Sequence, residues 1–114
     1  MKARIMALVA LAGMLGIDQA AKADAGVAVV PPGTTDIVKA GVIGGDWVTI
    51  GLSGDGDTDL DLYVYDPYGR LVGYDNGSTD DCLVRFYALY TGKYTIRVVN
   101  RSNVLSNKYV IAVD

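Results

Sequence analysis

The chain has 114 residues, 10 of them Lys or Arg against 13 acidic ones, for a net charge of −3, and it contains no His. That balance argues against a nucleic-acid partner, whose phosphates demand Lys and Arg. Without His there is no Ser-His or Cys-His nucleophile system and no His-based zinc site.

In chain order, Lys2 and Arg4 precede an apolar run over residues 5–17, and Ala21, Lys22 and Ala23 follow. The run is shorter than the ~20 residues that span a bilayer. Positive start, apolar run and small residues at the cleavage positions, in that order, predict a signal peptide over residues 1–23, cut after Ala23. The mature chain, residues 24–114, would keep 7 basic and 12 acidic residues, a net charge of −5, and no membrane span. The protein is therefore expected to be secreted or periplasmic. Cys82 is the only cysteine, so no internal disulfide can form. All the acids are Asp, a turn residue, and none is Glu, a helix former.

Residues 24–36 read as an N-terminal arm with a short edge strand over residues 27–30, stopped by Pro31 and Pro32. From there the period is 2. A weak strand over residues 37–43 ends at Gly44 and Gly45. Residues 46–53 turn Val48, Ile50 and Leu52 inward. Residues 59–66 turn Leu60, Leu62 and Val64 inward, with Asp59, Asp61, Tyr63 and Tyr65 on the other face. Pro67, Tyr68 and Gly69 make a turn, and residues 70–75 return. Residues 82–88 put Cys82, Val84 and Phe86 inside. Residues 93–100 do the same with Tyr94, Ile96 and Val98, and residues 107–113 with Tyr109, Ile111 and Val113. Short alternating runs with turn signals between them predict an all-β, antiparallel β-sandwich of about 7–8 strands in a single domain.

Several of these pieces resemble a known family. Asp59-x-Asp61-Leu62-Tyr63-Val64, the Asp66-Pro67-x-Gly69 turn, Gly92-x-Tyr94-x-Ile96-x-Val98 and Tyr109-x-Ile111 occur in the order and spacing of the bacterial pre-peptidase C-terminal domain. The resemblance covers residues 37–114. It implies a jelly-roll-like sandwich, usually an accessory module of secreted peptidases and other exported hydrolases. Related domains in clostridial collagenases bind calcium and collagen. Here the module is expected to stand alone behind its leader.

The run of residues 55–61 places Asp55, Asp57, Asp59 and Asp61 at alternate positions. Calcium takes six to eight oxygens in a flexible geometry, and these carboxylates with loop carbonyls would supply several. The run is not an EF-hand, because Leu60 stands where the loop needs glycine. In the collagenase relatives the ligands come from this loop and from an acidic arm. The loop is present here, but residues 24–45 hold only Asp24 and Asp36. A solvated acidic loop is the competing reading. Charges ~6.6 Å apart repel by about 0.6 kcal/mol in water and ~2.5 kcal/mol at an effective dielectric of 20, so such a loop survives without a metal. Arg85 and Arg97, outward by parity, are expected near Asp59 and Asp61. Both readings stay open, with calcium the one cofactor the sequence admits.

Catalysis by Asp59 and Asp61 would require a cleft, and a lone inward Cys82 behaves as a small apolar residue. The chain is expected not to be an enzyme. Tyr63, Tyr65 and Tyr87 project outward with Arg85 and Arg97, a set suited to protein or sugar recognition, although tyrosine is also an ordinary strand former. The expected function is an exported, non-catalytic binding module contacting an extracellular protein or polysaccharide. The alternative is a structural domain that packs against another exported protein or itself.

Overall fold

The computed structural model describes residues 4–10 and 25–114. The predicted signal peptide lies outside the described residues except for Arg4–Ala10. Nine strands and no helix occur among the described residues: β1 Arg4–Ala10, β2 Ala25–Val30, β3 Thr35–Ile43, β4 Asp46–Ser53, β5 Leu60–Tyr65, β6 Leu71–Asp75, β7 Asp81–Ala88, β8 Gly92–Asn100 and β9 Asn107–Val113. No helix among these residues is long and apolar enough to cross a membrane.

The strands form two sheets, β1-β3-β8-β5-β6 and β2-β9-β4-β7, and every pairing is antiparallel. Without β1, the eight strands from Ala25 to Val113 interleave as a jelly roll, the double Greek key of two packed sheets. β1 adds a further strand outside that pattern, on the free edge of β3. The stretch read as an arm contributes β2, an edge strand bonded to β9, and Thr35 and Asp36 already belong to β3.

The core follows from the alternation. Val38, Leu62, Val64, Ile96 and Val98 from one sheet meet Val48, Ile50, Val84, Ile111 and Val113 from the other, all at most 3% exposed. β5 and β8 keep their inward residues in register, Leu62 opposite Val98 and Val64 opposite Ile96. The register that buries these pairs also places Tyr63 opposite Arg97 on the outer surface. The β5–β6 connection is held by Asp66, whose Oδ1 accepts from the amides of Tyr68 and Arg70, both at 2.9 Å. Gly69 closes it at φ +82°, where a side chain would be strained.

Candidate functional site: a basic, tyrosine-lined sheet face

The four aspartates of residues 55–61 do not converge. Asp55 accepts from the Lys108 amide through Oδ2 at 3.0 Å and from the Asp57 amide through Oδ1 at 3.2 Å. Asp57 is exposed. The knot of the loop is Asp80, which the sequence offers only as a further oxygen donor beside the run and which acts instead as an acceptor for the chain itself. Its Oδ2 accepts from the Gly56 amide at 2.7 Å and from Asn107 Nδ2 at 2.9 Å, and its carbonyl accepts from the Gly54 amide at 2.9 Å. Gly54 has to be glycine here, since a Cβ would run into the Asp80 carboxylate and stand 2.6 Å from Asn107 Oδ1.

Asp59 and Asp61 belong to a second group. Asp59 Oδ1 is buried without a hydrogen-bond partner. The Asp61 carboxyl is 3.7 Å from Arg101 Nε, and its pKa is raised by burial first, then by Asp59, with Arg101 opposing and Asp75 adding to the rise. Arg101, not Arg85 or Arg97, is the cation beside Asp61. No three His, Cys, Asp or Glu side chains among the described residues stand so as to hold a metal ion. Below this group, Cys82 donates its thiol hydrogen to the Leu60 carbonyl at 3.2 Å. Burial, and then the carboxylates of Asp75, Asp61, Asp59 and Asp80, push the thiol up to about 12.

The five residues expected to form one binding surface lie on opposite sides of the sandwich. Tyr63, Tyr65 and Arg97 sit on β5 and β8, while Arg85 and Tyr87 sit on β7 of the other sheet. Parity gave the outward direction correctly, but it does not tell to which sheet a strand belongs. On the β7 side, Arg85 lies 4.3 Å over the Trp47 ring, and Trp47 meets Tyr87 edge to face at 5.7 Å. On the β5–β8 side, Tyr74 of β6, absent from the expected set, stacks on Tyr63 with centroids 6.1 Å apart and planes 18° apart. Tyr63 and Tyr74 are register partners only because the ladder shifts between Val64 and Tyr65; counting back from the turn without that shift pairs Tyr63 with Gly73.

Beside this stack, Arg97 lies 5.7 Å over the ring of Tyr65. A groove of about 430 Å³ crosses the face, lined by Ile37, Lys39, Tyr65, Gly69, Thr95 and Arg97. Lys39 Nζ donates to Thr95 Oγ1 at 2.5 Å. A second depression, also of about 430 Å³, lies on the opposite sheet, lined by Gly51, Leu52, Ser53, Asp81, Cys82, Val110 and Ala112. Neither is lined by Asp59 or Asp61. The β5–β8 face is thus an open, aromatic and cationic surface that can stack on a planar or ring-shaped group and donate hydrogen bonds to it.

Known structures share this architecture. The pre-peptidase C-terminal domain of collagenase from Bacillus anthracis aligns at a TM-score of 0.56 and 15% identity, over 77% of this chain and 87% of that one. Aeromonas hydrophila PliG, a periplasmic inhibitor of g-type lysozyme, aligns at 0.54 and 12% identity, over 96% and 88%. TmCBM61, solved in complex with β-1,4-galactotriose, aligns at 0.51 and 12% identity, over 89% and 86%. At these identities the likeness is one of fold. None of the curated proteins compared with the chain matches it significantly. The family model of the bacterial pre-peptidase C-terminal domain, a non-catalytic domain of collagenase-like proteins, matches residues 43–100, about half of the chain and the stretch that holds the β5–β6 hairpin and most of the tyrosine face. With the two-sheet jelly roll that it shares with the collagenase domain, this chain belongs to the bacterial pre-peptidase C-terminal domain family.

Proposed function

We propose that the chain is an exported, non-catalytic binding module that holds an extracellular polysaccharide on the outer face of β5 and β8. The observation that carries this reading is the run of rings Tyr63, Tyr74 and Tyr65 beside a groove of about 430 Å³ on an open sheet face. Ring-on-ring contact suits pyranose faces, and the flat rings lose little conformational freedom on binding. The fold is one on which a galactotriose-bound module has been built, as has a lysozyme inhibitor, so it admits a sugar ligand; the ring-lined open groove is what favours one. Residues 1–23 serve as the export signal in this reading, and the jelly roll needs none of them to close. The test is affinity electrophoresis of the purified chain through gels containing β-1,4-galactan, xylan or mannan. Retardation by at least one polymer, lost in Tyr63→Ala and Tyr65→Ala and kept in Trp47→Ala, is the expected result. Unretarded migration in a broad panel would sink it.

A second reading has its own observation. Leu83, Val110, Val27 and Val29 on the opposite sheet are 65, 47, 44 and 43% exposed, an apolar face suited to packing against another exported protein or a second copy. Light scattering across a concentration series tests self-association directly.

Calcium enters this proposal with a narrower donor set than the sequence suggested. Asp55 is committed to backbone amides, whereas Asp59 Oδ1 is buried without a partner beside Asp61. Two carboxylates give roughly two to four of the six to eight oxygens that calcium takes, so a cation held here would keep much of its water and bind weakly.

A further inference from the structure

Building on the polysaccharide reading, we infer that the groove on the β3–β8–β5 face selects an anionic glycan, one carrying carboxylates such as a polyuronate. The chain is acidic overall, at −3, yet this face is not. The outward positions of β3 and β8 carry Lys39, Lys93 and Arg97. The one acid among the outward positions of β5 is Asp61, which lies two positions beyond Tyr63, outside the groove and beside Arg101. Neither Lys39 nor Arg97 forms an ion pair with a carboxylate among the described residues.

The chemistry of the lining points the same way. A neutral sugar presents hydroxyls that both donate and accept, so a site for it needs side-chain acceptors as well as donors. The side chains of this groove include no carboxylate and no amide; their polar groups belong to Lys39, Thr95, Arg97 and Tyr65. Two of these are cations that donate only. The Arg97 fork matches a carboxylate with two parallel hydrogen bonds, and its packing over Tyr65 orders it in advance. Lys39, tied to Thr95 Oγ1, supplies a second charge on the neighbouring strand. In register, Lys39 faces Thr95 and Ile37 faces Arg97, so the two cations stand diagonally across β3 and β8, a spacing of roughly 7–8 Å at the backbone. That spacing fits repeated charge along a chain better than one isolated anion. Tyr65 on β5, across Thr95 from Lys39, adds apolar surface for the ring that carries the carboxylate.

The experiment compares a polyuronate with its uncharged ester on the same backbone and with a neutral polymer. Binding of the full purified chain to polygalacturonate is measured by calorimetry at ~50 mM salt, beside the same polymer with its carboxyls methyl-esterified and beside neutral β-1,4-galactan. The expected result is affinity for the free acid at least ~10-fold above the ester, largely lost at ~500 mM salt. A Lys39→Gln, Arg97→Gln double variant with an unchanged melting temperature should fall to the level of the ester, and Arg85→Gln on the opposite face should bind like the parent. Equal affinity for acid and ester, with Tyr63→Ala still abolishing both, would overturn the anionic selectivity and leave the sugar-binding reading intact. No affinity for any of the three polymers would overturn both. Equal affinity for a short DNA duplex, or for a sulfated glucan lacking carboxylates, would show a general polyanion surface and overturn the uronate assignment.

Discussion

Tyr109 reaches from β9 across the core to Asp36 on β3, donating its hydroxyl hydrogen to Oδ2 at 3.0 Å. Asp36 is 1% exposed, and burial lifts its carboxyl to about 6 despite that hydrogen bond. The folded state therefore holds the Asp36 proton more tightly than the unfolded chain, whose carboxyl titrates near 3.8. As pH rises from about 4 to 6 the unfolded chain ionises first, so this group's contribution falls and is lost above about 6. Stability at pH 7 should be lower than at pH 5, by roughly 1–3 kcal/mol from this group. Asp61, also raised, acts in the same direction. Urea melts at pH 5 and 7 check this, and Asp36→Asn should remove most of the difference while keeping an acceptor for Tyr109. A profile that rises from pH 5 to 7 in the parent would contradict the assignment.

The Asp80 knot predicts a contrast within one acidic stretch. Asp80→Ala strands the Gly56 amide and leaves Asn107 Nδ2 with only Thr58 Oγ1 as an acceptor, and should cost about 2–4 kcal/mol. Gly54→Ala forces a methyl group against the Asp80 carboxylate and should cost a similar amount. Asp57→Ala, two positions from Asp55 and exposed, should change stability by less than ~0.5 kcal/mol. Denaturation midpoints at constant m-value distinguish the three. A large loss in Asp57→Ala would mean that the loop is organised around that carboxylate instead.

Cys82 should behave as a core residue. Its thiol is 5% exposed, donates to the Leu60 carbonyl and is pushed up to about 12, so almost no thiolate exists at pH 8. A disulfide-exchange reagent should label it at once in denaturant and, in buffer, only as fast as the fold opens. Stoichiometric labelling of the native protein within seconds would refute the burial argument.

The parts of this fold that were legible in the sequence are those that local alternation controls. β4 and β9 begin and end where the pattern said, at Asp46–Ser53 and Asn107–Val113, because each has one buried face and a clear stop at both ends. The inward triads of β5, β7, β8 and β9 follow from the same period. What local pattern cannot carry is strand order. Tyr87 and Tyr63 both point outward, yet strand order puts them on opposite faces. The structural roles of Asp36 and Asp80 were not legible locally, because their partners Tyr109 and Asn107 are 73 and 27 positions away. Tyr74 was hidden by a short β6 containing Gly73 and by a register shift between Val64 and Tyr65.

The last prediction concerns Asp59 and Asp61. A calcium cage built from the whole run would hold the ion tightly, and at ~100 times the dissociation constant would add about 2.7 kcal/mol, roughly 11–22 °C for a domain of this size. Two neighbouring carboxylates belong instead with the weak extracellular sites, with dissociation constants of ~10⁻⁴–10⁻³ M. At ~2 mM calcium the gain is then about 1 kcal/mol, or ~4–8 °C. Asp61→Asn removes a buried charge that Asp59 and Asp75 disfavour. It should therefore raise the melting temperature in EDTA at pH 7 and abolish the calcium response together. Asp57→Asn should alter neither. A full-sized shift that depends on Asp55 and Asp57 would restore the loop as the ligand set. No shift at all up to ~10 mM calcium would leave the unpartnered Asp59 oxygen as a cost that the fold carries without a cation.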